Sequence, residues 1–230
     1  MEVLRDWSLP LDVDRVLRGE GADPGVMRAR HPRIVAMAER ALKEGLPLLE
    51  PLVLRRRVGV RKVIHQRLEL EAGGRLSGPL IAAHMGGAGE VVLMLCTIGP
   101  RLEARVAEWM DQDMAYALAL DGLGSAAVEA LANEATLAVE AQAAAQGLNT
   151  TIPLSPGMVG WPVEVGQPQV LALLEPERVG VRLTESGMMV PRKSLTLVLG
   201  LGREVSSRGR PCDYCNLREI CRYQDHYPPV

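Results

Sequence analysis

The alanine-rich run from Met114 to Gln146 constrains this chain more than any other stretch. Thirteen residues between Ala115 and Ala145 are alanine, the strongest intrinsic helix former. The run predicts one long helix at the centre of the fold, because small side chains on most faces let a sheet and other helices approach closely. A kink or a preceding turn is expected at Gly122–Gly124.

The rest of the core has to be built almost without rings. The 230 residues include no Phe, three Trp and four Tyr, so Leu, Val, Ile, Ala and ten Met supply the apolar volume. Met is flexible and polarizable, and it also suits a wall around a cofactor. The length fits one domain of good size, or one domain with a small appendage. Lys and Arg number 26 against 28 Asp and Glu, which leaves no basic excess to hold a phosphate backbone. The few rings are too scattered to stack bases, so nucleic acid is not an expected partner. The opening residues MEVLRDWSLP contain no apolar signal core, and apolar stretches such as Val91–Cys96 are too short to cross a bilayer. A cytoplasmic protein without a membrane partner is expected.

The pattern along the chain predicts an α+β domain whose twisted sheet is largely antiparallel. A Gly/Pro-interrupted loop spans Gly19–Gly25. A helix then runs from about His31 to Lys43, with Ile34, Met37, Ala38, Ala41 and Leu42 on one face and Gly45 as its stop. Short β-like runs follow at Leu52–Leu54, Arg57–Val60 and Val63–Leu70, and Gly73–Gly74 closes a hairpin. The basic run Arg55–Arg57 reads as an exposed edge, where charge discourages strand-to-strand pairing. Glu90–Thr97 is nearly continuous in apolar residues, as the centre of a sheet requires. Pro100 opens another helix, with Leu102, Val106 and Trp109 facing inward. Residues 149–166 read as loop, Val170–Leu174 as a short helix, and Val181–Thr184 and Ser194–Leu199 as strands. Residues 1–203 are expected to form the domain, and 204–230 a basic linker with a cysteine-rich tail.

That tail carries the sharpest local signal. Cys212, Cys215 and Cys221 follow a C-x2-C-x5-C spacing, and His226 lies five residues further on. A tight turn presents the first pair to one metal centre, and His226 is in reach as a fourth zinc ligand. Three thiolates also suit an iron–sulfur cluster with one iron left open. A tail of unligated thiols is the remaining alternative. Cys96 sits in an apolar strand and reads as a small core residue.

Gly122-Leu-Gly124-Ser-Ala-Ala127 has the outline of a dinucleotide turn, which would make the chain a nucleotide-dependent oxidoreductase. It lacks the preceding strand and the acidic residue at the next strand end, so close helix packing explains it better. His31, His65 and His84 belong to no hydrolytic motif. Two blocks have the character of ligand loops. In Pro153–Pro162, prolines and glycines hold backbone N–H and carbonyl groups in a fixed shape, with Ser155, Pro156, Gly157 and Met158 at its centre. In Leu183–Ser194, Thr184, Glu185 and Ser186 place acceptors at a strand end beside Met188 and Met189. An ordinary strand–turn–strand link explains the second block equally well.

Several of these segments, in order, resemble the activation domain of vitamin-B12-dependent methionine synthase, and especially its stand-alone relatives. They are Val13–Leu17, Cys96–Glu103, Asp121–Glu129, Ser155–Gly157 with Trp161–Pro162, Leu173–Glu175, and Val181–Ser186 with Met189, Pro191 and Ser194. The cysteine tail is similar to that of some stand-alone members. The resemblance implies a helmet-shaped α+β domain that binds S-adenosylmethionine and docks over the corrinoid of its methyltransferase. There, one electron and a methyl group return cobalt(II) to methylcobalamin, and the domain supplies positioning. The implied ligand residues are Ser155, Pro156, Gly157, Met158, Thr184, Glu185 and Ser186. The implied partner is methionine synthase or another corrinoid protein, which carries the cobalamin.

Pro153 and Met158 stand where the family has Arg and Tyr. The planar fork that would clamp a carboxylate is therefore missing, with Arg182 or Arg192 as candidate substitutes. The departure supports an alternative: a corrinoid-docking or electron-transfer module that has lost S-adenosylmethionine and uses a Cys-ligated metal.

Overall fold

The computed structural model describes residues 1–221 and shows an antiparallel sheet with helices on one face and loops and shorter helices on the other. Strand β1 (Glu2–Leu4) precedes α1 (Val13–Gly19), α2 (Pro24–Arg30) and α3 (Pro32–Gly45). Then come β2 (Leu52–Ile64), β3 (Arg67–Leu70), β4 (Arg75–Ser77), α4 (Pro79–Met85) and β5 (Glu90–Thr97). Helices α5 (Arg101–Trp109) and α6 (Met114–Ala145) lead to β6 (Asn149–Thr150) and α7 (Val163–Leu174). A small β7–β8 ladder (Arg182–Leu183, Met189–Val190) precedes the long β9 (Ser194–Gly202).

The strand order is β4-β3-β2-β5-β9-β6, and β1 pairs with the Val53–Arg55 stretch of β2. As its apolar sequence requires, β5 lies at the centre, paired from Leu52↔Thr97 to Gly59↔Glu90 on one side and from Glu90↔Leu201 to Thr97↔Ser194 on the other. Alternation divides its side chains between two cores. Val92, Met94 and Cys96 face a cluster with Leu123, Ala127 and Leu131 of α6, while Val91, Leu93 and Leu95 face one with Ile81, Val170 and Trp161.

Helix α6 is continuous through Gly122 and Gly124, without the expected preceding turn. Asp113 caps it by accepting from the Tyr116 N–H. By length and composition α6 could cross a membrane, which corrects the expectation that no stretch is long enough; yet 67% of its apolar window is buried in this fold. Glycine serves close approach here. A methyl at Gly19 of α1 would collide with the Gly122 carbonyl, and one at Gly122 would sit 2.8 Å from the Val16 carbonyl oxygen.

Several boundaries differ from the sequence reading for identifiable reasons. The loop proposed at Gly19–Gly25 gives way to α2, because Asp23 accepts from Val26 N–H and Pro24 starts the helix without losing a needed donor. The first two short runs after Leu52 and the start of the third are one 13-residue strand, which ends where His65 turns the chain at φ 52°; the rest of the third run, Arg67–Leu70, is β3 and pairs back on β2. Arg55–Arg57 is no free edge. Arg55 pairs with Glu2 and Gln142, Arg57 with Glu90 and Gln146, and Arg56 donates to the Leu173 carbonyl at the end of α7. Helix α7 begins at Val163, ahead of the breakers Gly166 and Pro168, and β9 runs three residues past Leu199.

Candidate functional site

The loop from Pro153 to Pro162 is built into the second core rather than hung from it. Leu154 exchanges both backbone hydrogen bonds with Val198 of β9, at 3.0 and 2.8 Å. The chain then turns on itself: Met158 N–H donates to Ser155 O, Gly157 N–H to Trp161 O, and Trp161 N–H to Met158 O. Gly157 and Gly160 hold φ values of 102° and 88°, which a side chain would strain. Gly160 O accepts from Leu80 N–H, which ties the loop to α4.

Trp161 anchors it. The indole is 0% exposed and packs on Gly166 of α7, where a Cβ would lie 2.7 Å from the ring. Met158 turns its thioether back so that the sulfur accepts from Ser155 N–H at 3.4 Å. Ser155, Pro156, Gly157 and Met158 are thus one half-buried turn, as the sequence suggested.

Thr184, Glu185 and Ser186 form the connection of the β7–β8 ladder. Thr184 Oγ1 lies 2.9 Å from Ser186 Oγ and accepts from Met188 N–H, so these acceptors stabilise their own turn. Leu183 and Met189 pack on the same apolar cluster as Met158, but no hydrogen bond among the described residues joins the two blocks. The structure brings them to one core without merging them into one polar site.

The two candidate substitutes differ in how they are held. Arg192 is held by Glu103, which accepts from its backbone N–H and its Nε, each at 2.9 Å. Arg182 is exposed on β7. Next to Arg192 lies a cluster that sequence reasoning missed. Lys193 Nζ reaches Asp121 Oδ2 at 2.8 Å and Ser125 Oγ at 2.9 Å, its stem crossing Gly124. Thr97 and Ser194 meet beside it at 2.9 Å. The i, i+4 spacing of Asp121 and Ser125 was the available signal; their cation lies 72 residues away in sequence.

The cysteine tail has an unexpected place. Pro211–Tyr214 forms a 3-10 turn, and Cys215 N–H donates to Cys212 O. Tyr214 packs on the second core, and its ring meets His84 edge-on at 4.8 Å. Burial lowers the pKa of that histidine. Among the described residues, two bonds bind the tail to the loop: Val159 N–H donates to Tyr214 O at 2.8 Å, and Asn216 Nδ2 to Gly157 O at 3.3 Å.

Among the described residues, no group of three His, Cys, Asp or Glu side chains is gathered to hold a metal; of the four expected ligands Cys212, Cys215 and Cys221 are described, and His226 lies outside the described residues. Cys96 is buried in β5, and burial, reinforced by the Glu129 carboxylate, pushes its thiol up and away from the ligating form. Gly122–Ala127 is helix interior with its N–H groups committed to the helix, which rules out a phosphate-cradling turn.

By sequence, the chain matches no protein-family model and no curated protein. By structure it is similar to the MetH reactivation domain, solved bound to AdoHcy. The similarity covers 100% of this chain and 91% of that one at a TM-score of 0.68, with 13% of residues identical. The α+β architecture with its curled antiparallel sheet is therefore that of a reactivation domain.

Proposed function

We propose that this chain serves a corrinoid-dependent methyltransferase as a docking and reactivation accessory, with the Pro153–Trp161 turn as the seat of an S-adenosylmethionine-type ligand. The observation that carries the reading is the match of the entire chain to a domain solved with AdoHcy. The rigid Ser155–Met158 turn, fixed by three backbone hydrogen bonds and a buried Trp, supports it. Cobalamin would belong to the partner, and this chain's role is to hold the methyl donor and exclude water at the docking face.

Pro153 in the arginine position favours a second reading, in which docking persists and the ligand is bound weakly or not at all. A lost charge-assisted pair corresponds to about 1.5–3 kcal/mol of affinity. No step is assigned to a metal on the tail.

The two readings separate in one experiment. Methionine synthase without its own reactivation domain is oxidised to cob(II)alamin. It is then mixed with this chain, a one-electron flavodoxin-type reductant and S-adenosylmethionine, while the cobalt(II) paramagnetic signal is followed. Faster loss of signal with the chain and S-adenosylmethionine together supports the first reading. Decay that the chain never alters refutes it.

A further inference from the structure

The tail covers part of the backbone that makes the Pro153–Trp161 turn attractive as a ligand seat. Within the turn, the N–H groups of Gly157, Met158 and Trp161 are used internally. The Val159 N–H and the Gly157 carbonyl are taken by Tyr214 O and Asn216 Nδ2 instead. The docking is specific. Pro211 is buried, and the Tyr214 ring stands between the second core and His84. Arg210 N–H donates to Asp213 Oδ2 at 2.9 Å, which pre-forms the 3-10 turn that aims Tyr214 at the loop.

We propose that Pro211–Asn216 is a built-in strap that docks on the Gly157–Val159 backbone and must leave before a ligand can use those groups. The ligand side rests on the reading of this turn as the seat of a nucleoside thioether or sulfonium; the strap itself rests only on the contacts above. Docked, it satisfies the loop's outward donor and acceptor in place of water. Released, it returns a fixed N–H and carbonyl to solvent for a polar ligand. The loop needs no rearrangement in this scheme, because its internal hydrogen bonds do not involve the strap.

The test uses the full chain and two variants, Tyr214→Ala and the milder Asn216→Ala. Amide exchange at Val159 reports docking, and calorimetry with S-adenosylhomocysteine reports the ligand. Val159 is expected to be protected in the parent and to exchange at least about tenfold faster in Tyr214→Ala, a weakening of about 1.4 kcal/mol. S-adenosylhomocysteine is expected to bind the variant about tenfold more tightly than the parent, with Asn216→Ala in between. Equal Val159 exchange in parent and both variants overturns the strap. Faster exchange with identical ligand affinity in all three overturns the competition. Faster exchange with no binding to any form upholds the strap and refutes the ligand reading alone.

Discussion

The crossing of α1 over α6 gives a prediction whose sign tests the packing argument. In a helix interior, Gly122→Ala should stabilise by about 1 kcal/mol on propensity alone. The structure predicts the opposite. A Cβ there meets the Val16 carbonyl oxygen at 2.8 Å, the Glu20 nitrogen at 3.1 Å and Glu20 Cγ at 2.6 Å. The first two are backbone atoms of the facing helix and its cap, and they cannot step aside without moving α1. Overpacking of this kind costs about 1–3 kcal/mol, so the net effect is a loss of about 1 kcal/mol. Gly19→Ala should cost more, because its methyl falls on the Gly122 carbonyl itself. Gly124→Ala is the control in the same helix. Its new neighbours are the Lys193 stem at 3.1 Å and a Leu102 methyl at 3.2 Å, flexible groups that can yield, so it should be neutral or mildly stabilising. Urea unfolding with an unchanged slope is the assay, and 1 kcal/mol moves the midpoint by about 0.4 M. A higher midpoint for Gly122→Ala would refute the close approach of the two helices.

Two further predictions concern single residues. Glu20 lies against the same crossing with a buried, unpartnered Oε1, and burial raises its pKa to about 7. The folded state therefore keeps a proton that the unfolded chain releases near 4.5, so stability falls as pH rises through that window and stays low above 7. The full displacement corresponds to about 3 kcal/mol, and access of water to part of the side chain reduces it to about 1–2 kcal/mol. Glu20→Gln should accordingly raise the melting temperature at pH 8 and leave it unchanged at pH 4; an equal gain at both would exclude the carboxylate as the cause. Gly166→Ala would press a methyl to 2.7 Å from the Trp161 ring and 3.0 Å from the Pro156 Cβ. It should cost about 1–3 kcal/mol, lower the melting temperature by several degrees and alter Trp emission; unchanged emission and melting would contradict the anchoring role.

What the sequence revealed depended on whether the deciding contacts were local. The centre of the sheet was legible because β5 is apolar on both faces, and only a doubly covered strand needs that. Helix α3 was legible from its one-sided apolar pattern. The full length of β2 was not, since Arg55–Arg57 looks like an edge until Glu2, Glu90, Gln142 and Gln146 arrive from 33 to 89 residues away. Its breakers hid the start of α7, yet Gly166 is small because Trp161 occupies the space a side chain would take. The Ser155–Met158 turn was readable from its own prolines and glycines. The contact of the tail with that turn was not. The cysteine spacing drew attention to metal, while the residues that reach the loop, Tyr214 and Asn216, stand on either side of Cys215.

The alanine spine also shows how a core without phenylalanine is filled. A helix of 32 residues, about 48 Å long, fills its buried side with alanine and glycine between Leu120, Leu123, Leu131 and Val139, so aliphatic groups rather than rings make its contact with the sheet. A benzyl group put in place of one of the buried alanines would overpack that contact. The two fully buried aromatics respect this: Tyr116 sits at the first turn of α6, and Trp161 on the opposite side of the sheet. Ring volume thus enters this domain at the start of the spine and on the loop-covered side, while the stretch between is closed by methyl and branched aliphatic groups.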